Sequence, residues 1–298
     1  MMKRLRLLLL LACGLAAVTS ARAQITVGIS IKERFHIVHE PVVATATLTN
    51  LTGRDITLTD TDQYQWFAFR ITGADDRVVP PRDLHYKVPP LTVKSGETVK
   101  RSVDLQELYD MGEDGTYRVV ANVYFDGMDK FFSSRPTHVE ITEGRIVWQK
   151  TAGIPEGQPG AGQMRVFTLL AHQRGKVNTL YIRVKDQDDG SIFCTFPIGR
   201  LLDAVPPQAE FDSANNLYIL QLTGNRAYAL TKISPNGQFG GQTAYAAPKK
   251  RPMLRRTGDG ALEIVGGVRE TALAQNPAAP VPKLSDRPAG LPARPSSN

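Results

Sequence analysis

The sequence predicts an all-β protein in two parts. Three observations carry that expectation. Residues 24–145 alternate apolar and polar side chains in short runs, as half-buried strands do. Residues 165–270 repeat a Leu-x-Ile pattern at nearly regular steps. No long segment shows the periodicity of an amphipathic helix.

The chain opens on an export signal. Lys3, Arg4 and Arg6 form a positive start, Leu7 to Leu11 lead an apolar stretch to Val18, and Ala21-Arg22-Ala23 is a small-x-small cleavage site. Residues 1–23 are therefore expected to be removed, leaving Gln24 first. The apolar stretch is shorter than the ~20 residues of a membrane span, and no later segment is longer, so no transmembrane segment is expected in the mature chain. Leu10-Leu11-Ala12-Cys13 offers an alternative, lipid attachment through Cys13. Either route ends in the periplasm or outside the cell. Loss of Lys3, Arg4, Arg6 and Arg22 lowers the formal charge from +7 to +3. What remains is uneven: net −4 over residues 24–145 and net +7 over residues 146–298. One cysteine, Cys194, is left, so stability must come from core burial rather than a disulfide.

The first domain is placed at residues 24–145. Strands are expected near 25–31, 42–49, 56–58, 66–71, 99–103, 117–125 and 138–141, separated by turn signals such as Lys94-Ser-Gly-Glu97 and Gly112-Glu-Asp-Gly115. A single helical turn is expected at 105–109. Asp114-Gly-Thr-Tyr117 resembles the D-x-G-x-Y signature that opens a late strand in immunoglobulin-like domains. The resemblance covers Ile25 to about Glu143 and implies an immunoglobulin-like β-sandwich in which the Tyr117 hydroxyl bonds back to nearby backbone, a structural tyrosine corner. The same layout is similar to BsuPI-type proteinase-inhibitor domains, although only Trp66-Phe-Ala-Phe69 stands near that family's tryptophan-rich motif.

Residues 146–164 are read as a linker, because 151–162 are rich in glycine and proline. Beyond it, Thr179-Leu-Tyr-Ile182 returns as Asn216-Leu-Tyr-Ile219 and then as Ala261-Leu-Glu-Ile264. Pro207 lies ten residues before Leu217, and Pro252 ten before Leu262. Each unit is too small to bury its own face, so copies must stack. The period resembles β-propeller blades, and residues 165–270 hold about two and a half units. They are expected to form a partial propeller completed by another chain, an open sheet or sandwich, or a surface leaning on the first domain, the second being preferred because it needs no partner. Residues 271–298, with six prolines, read as a disordered tail.

Candidate chemistry is sparse. His36, His39 and Glu40 superficially resemble a zinc motif, but a strand turns His36 and His39 to opposite faces. Asp186-Gln-Asp-Asp-Gly190 reads as a hairpin turn or a calcium loop that lacks its distant glutamate. Cys194 lies in an apolar run that suits a buried thiol and not a nucleophile. Asn50-Leu-Thr52 is a glycosylation sequon. Lys249, Lys250, Arg251, Arg255 and Arg256 form the densest basic cluster, a possible contact for an anionic partner or else a solvated loop entering a strand with Met253 and Leu254 turned inward. No cofactor, metal or nucleic-acid motif is expected, and no catalytic constellation stands out. The sequence therefore implies a non-catalytic binding or scaffold protein of the bacterial envelope, its partner an envelope protein or a glycan. A proteinase-inhibitor module and an enzyme whose carboxylates meet only in the fold remain as alternatives.

Overall fold

A computed structural model describes residues 25–273 apart from His85 and Asp259. The expected signal segment, Cys13 and nearly all of the expected tail lie outside the described residues. The fold is all-β, with 57% strand and 3% helix.

Two sheets share one core in the first body. The smaller joins β1 (Ile25–Ile31), β3 (Val43–Asn50) and β8 (Thr98–Asp104) in the order β1-β3-β8. The larger is built from β2 (Phe35–Ile37), β5 (Phe67–Thr72), β6 (Val78–Val79), β9 (Gly115–Phe125), β10 (Lys130–Ser133) and β11 (Thr137–Thr142). Its order is β2-β11-β9-β5-β6, with β10 paired to β9. A small pair, β4 (Ile56–Leu58) with β7 (Leu91–Val93), lies beside them. The chain changes sheets early: β1 pairs β3, and β2 pairs β11 in parallel.

Alternation decides which faces meet. In β3, Ala44, Ala46 and Leu48 enter the core while Thr45 and Thr49 face out to hydroxyl partners Ser102 (2.8 Å) and Thr98 (2.9 Å) on β8. From the opposite sheet come Phe67, Phe69, Tyr117, Val119 and Val139. Trp66 is wholly buried and donates its indole N–H to the Val88 carbonyl at 3.2 Å. The expected helical turn is α1 (Leu105–Leu108), capped by Asp104, whose Oδ1 accepts from the N–H groups of Gln106 and Val42. One carboxylate thus fixes both the helix start and the entry to β3.

The second body begins earlier than the composition suggested. Residues 146–153, expected within a linker, belong to β12 (Arg145–Gly153), which pairs with β13 (Met164–Arg174). The reason is local: Val147 and Trp148 pack on the second core, and the glycine-rich loop starts only at Gly153. β14 (Val177–Asp186) and β15 (Ile192–Arg200) complete a four-stranded meander. A second meander follows, from β16 (Gln208–Phe211) and β17 (Leu217–Gly224) to β18 (Ala227–Ile233) and β19 (Phe239–Ala246). The two sheets share a core in which Leu169, Leu180, Ile182 and Phe196 meet Leu217, Ile219 and Ile233.

The recurring Leu-x-Ile segments all fall on strands. Leu180 and Ile182 lie on β14, the third strand of its meander, whereas Leu217 and Ile219 on β17 and Leu262 and Ile264 on β21 (Leu262–Val265) each lie on the second strand of theirs. Pro207 and Pro252 immediately precede β16 and β20 (Met253–Arg256), where a missing N–H costs no ladder bond. Units touch closely: a Cβ on Gly237, at φ +78°, would sit 2.8 Å from Cys194 Sγ of the neighbouring sheet. The third unit stops at the β20–β21 hairpin, because β22 (Val268–Leu273) returns to pair β19. Residues 271–273, expected in the tail, are therefore strand.

Tyr109 tests how far this packing depends on single polar groups. Its buried hydroxyl accepts from the Phe69 N–H (3.0 Å) and donates to the Phe69 carbonyl (2.9 Å). Tyr109→Phe leaves both backbone groups without that partner and should cost about 1–3 kcal/mol. The urea midpoint should fall with an unchanged m-value; an unchanged midpoint would refute the assignment.

Candidate functional site

Two places concentrate polar chemistry, the joint between the bodies and a cleft on the first. The joint starts from a tight turn after β2. Val38 and His39 turn the chain, His39 with φ +66°, and Glu40 N–H closes on the Ile37 carbonyl at 2.9 Å. This folds the Glu40 carboxylate inward, where it is 5% exposed. Oε2 accepts from the Ile37 N–H at 3.1 Å and lies 3.6 Å from His36 Nδ1. Oε1 meets Arg174 in an ion pair and Tyr181 Oη at 3.3 Å. Arg183 donates to the Val38 carbonyl, and Thr142 Oγ1 sits 3.1 Å from His172 Nδ1. Under these contacts Ile37, Leu170 and Tyr181 form a small apolar cluster spanning the two bodies.

The electrostatics follow from burial and pairing. Burial alone would raise the Glu40 pKa, but His36 and Arg174 outweigh it and hold the carboxyl below its ordinary value. Burial pushes His172 below the ordinary histidine range, against the pull of Glu40. His39 is lowered too, first by desolvation and then by Arg183. Glu40 is thus ionised, closed in and fully engaged, which makes it a structural anchor and not an accessible acid or base.

The cleft has a volume of about 470 Å³. Its floor is Phe67 and Ala68 of β5, and its walls are α1 with Tyr109 on one side and Pro81, Arg82, Asp83 and Tyr86 on the other. Arg82 ties the walls together, donating its backbone N–H to the Leu108 carbonyl (2.7 Å) and a guanidinium N–H to Asp110 (3.0 Å). Gln65 donates to the Tyr86 carbonyl at 2.5 Å. The floor is also a sheet edge. β5 pairs β9 over Phe67–Thr72, whereas β6 covers only Ile71 and Thr72. The Trp66 carbonyl bonds toward β9, so alternation turns the N–H and C=O of Phe67 the other way. Among the described residues Phe67 has no strand partner on that side. Tyr109 occupies the next such pair, at Phe69.

The residues singled out from sequence fall elsewhere. Tyr117 Oη donates to the Glu113 carbonyl, four residues upstream, at 2.9 Å, and burial raises its pKa. The basic cluster divides. Lys249, Lys250 and Arg251 are exposed on the loop before β20, where the two lysines border a shallow depression with Gly266 and Gly267. Arg255 is engaged with Glu263, and Arg256 with the Gly260 carbonyl at 3.1 Å and Glu210 at 3.9 Å. Met253, expected to face inward, is exposed: it neighbours half-buried Leu254 on one strand, and alternation turns the two to opposite faces.

His36 is buried and His39 exposed, so they do not converge. Asp186 gives Oδ1 to the N–H groups of Asp188 (2.7 Å) and Asp189 (3.3 Å) and pairs with Arg165 through Oδ2, which commits it to the hairpin turn. Burial pushes the Cys194 thiol up to about 12, removing the thiolate a nucleophile needs. Asn50 is wholly buried, its amide donating to the carbonyls of Arg54, Val93 and Lys94, so its sequon is closed in the folded chain. The joint was missed by sequence reasoning. The available signal was His172 and Arg174 at alternate positions just after the apolar run Leu169–Ala171 of β13.

No protein-family model, curated protein or solved structure matches the chain.

The joint makes stability depend on pH in a defined direction. Glu40 is stabilised as a carboxylate, so its contribution is complete above about 4.5 and lost as pH falls through its lowered folded value. His172 and His39 are stabilised neutral, so theirs is complete above about 6.5 and lost as pH falls toward their lowered values. Unfolding free energy should therefore drop in two steps on acidification. Glu40→Gln should abolish the lower step and, because Glu40 opposes the lowering of His172, deepen the upper one. Arg174→Ala, which strands a buried carboxylate, should cost about 3 kcal/mol at pH 7. Denaturation midpoints across pH 3–8 would check this, and parallel curves for wild type and Glu40→Gln would contradict it.

Proposed function

We propose that the chain is an exported, non-catalytic binding protein of the bacterial envelope that captures an extended segment of another envelope protein in the cleft beside Phe67. The free backbone edge on the cleft floor carries this reading. An extended segment can add main-chain bonds to such an edge and place side chains on the apolar walls. A volume of about 470 Å³ falls within the range of preformed binding sites.

Other features support the setting. The n-region of Lys3, Arg4 and Arg6, the apolar stretch to Val18 and the Ala21-Arg22-Ala23 site favour export. The split of the first strand between two sheets, the parallel β2–β11 pair and the Tyr117–Glu113 bond favour an immunoglobulin-like sandwich for the first body. The recurrence of proline, strand, turn and Leu-x-Ile strand favours propeller-like units for the second. The joint at Glu40 then holds the two as one scaffold. Catalysis is disfavoured because the buried carboxylates and the thiol are committed to structural contacts.

Arrays of extended peptides and of glycans, probed with the mature chain and with Leu108→Arg, would test the proposal. Leu108 is half-buried on a cleft wall and packs partly on the core, so binding by Leu108→Arg is read beside its denaturation midpoint. Apolar peptides should bind the wild type and lose at least about tenfold in affinity with Leu108→Arg, a change of about 1.4 kcal/mol. Binding to glycans alone, or peptide binding indifferent to Leu108→Arg, would sink the idea.

A further inference from the structure

A second surface, on β9, β10 and the loop before β5, carries aromatic rings that the core does not use. Tyr64, Tyr124 and Phe131 form a compact triad with ring centroids 4.8, 4.9 and 5.1 Å apart. Tyr124 and Phe131 are register partners on β9 and β10, and Tyr64 approaches from the loop before β5. The Tyr124 ring is covered, but Tyr64 is 41% and Phe131 47% exposed, with Met128 beside them at 36%. Large apolar groups gathered on a surface mark a contact site. The rim is acidic. Tyr124 Oη donates to Asp129 Oδ1 at 2.8 Å, and Asp126 and Asp129 are both exposed. The neighbouring Lys130 turns its ammonium onto the Phe132 ring, 5.5 Å from its centroid.

A surface of stacked aromatic rings with an acidic rim selects a particular chemistry. Proline rings pack on aromatic faces, and a proline-rich segment is already restricted toward the polyproline II helix, so docking it costs little conformational entropy. Cationic side chains add attraction to the carboxylates and to the ring faces. The chain itself supplies such a segment. Arg287-Pro-Ala-Gly-Leu-Pro-Ala-Arg-Pro295 holds three prolines and two arginines. At three residues per turn, Pro288, Leu291 and Arg294 fall on one edge and Pro292 and Pro295 on the next. In that helix the apolar groups span two neighbouring edges, with Arg294 at the end of one and Arg287 on the third.

We propose that residues 287–295 dock on the Tyr64–Tyr124–Phe131 triad of the same chain, prolines against the rings and arginines against Asp126 and Asp129. The tether permits it. Thirteen residues separate Leu273 from Arg287, and an extended tether of that length spans up to about 40 Å, roughly one domain diameter. Attachment in the same chain also raises the effective concentration of the segment to the millimolar range, so a weak contact suffices. The charge asymmetry fits: the body that bears the triad is net acidic, and the segment is basic.

Two measurements on the intact mature chain test this. A photoreactive benzoylphenylalanine in place of Phe131 should cross-link to residues 287–295. In a mixture of light and heavy isotope-labelled chains the products should be light–light and heavy–heavy only. Cross-links confined to other regions, or mixed light–heavy products, would overturn docking within one chain. Limited trypsin digestion gives the second measurement. Arg287 and Arg294 precede proline and resist cleavage, so the Lys283–Leu284 bond reports on the segment. That bond should be cut at least about threefold faster in Tyr64→Ser/Phe131→Ser, whose changes are on exposed side chains, and in Arg287→Glu/Arg294→Glu. Equal rates in wild type and both variants, whatever the cross-linking yield, would refute the proposal.

Discussion

One buried carboxylate sets the arrangement of the whole molecule. Glu40 lies on the first body, and its ionic partner, Arg174, lies on the second. A carboxylate stripped of water is tolerable only when charge and hydrogen bonds replace the lost solvent. Here the replacement comes from His36 and the Ile37 N–H on one side, and from Arg174 and Tyr181 on the other. Such a contact is directional, unlike the apolar cluster of Ile37, Leu170 and Tyr181 beneath it. The apolar surface draws the bodies together, and the carboxylate specifies one orientation. The cleft and the aromatic triad on the first body are thereby held in fixed positions relative to the repeat units.

Much of the architecture was legible in the sequence because it follows from local patterning. The alternation in residues 43–50 writes the inner and outer faces of β3 directly, and each Leu-x-Ile segment marks a strand, β14, β17 and β21. The failures have equally local causes. Glycine and proline between Gly153 and Gly162 masked the strand that precedes them, since composition averages over a window and pairing does not. The outward turn of Met253 follows from alternation, since Met253 and Leu254 are neighbours on one strand and cannot both face inward, and which of them does so depends on packing from distant residues. The candidate sites fared worse. Both the joint and the cleft join residues far apart in the chain: Glu40 and Arg174 are separated by 134 positions, and no short motif encodes such a meeting.

The second body illustrates how small antiparallel sheets become stable. Neither meander buries its inner face alone, and the shared core from Phe167 to Ile233 is what removes both from water. The edge of β15 is not left open: Gln221 and Gln242 donate their side-chain amides to the carbonyls of Arg200 and Ile198. Side chains from one sheet thus close the backbone of the next, which blunts the tendency of such an edge to recruit another chain.

The span between Glu40 and its partners also has a meaning in time. Glu40 emerges early from any synthesis or export that proceeds from the N-terminus, whereas Arg174 and Tyr181 follow 134 and 141 residues later. Until they arrive, hiding the carboxylate would leave a bare charge in an apolar pocket, so it stays hydrated and the turn at Val38 and His39 stays accessible. Contacts so distant in sequence are also slow to close. Assembly therefore has a built-in order, in which each sheet pair condenses on its own core and the union of the two comes last.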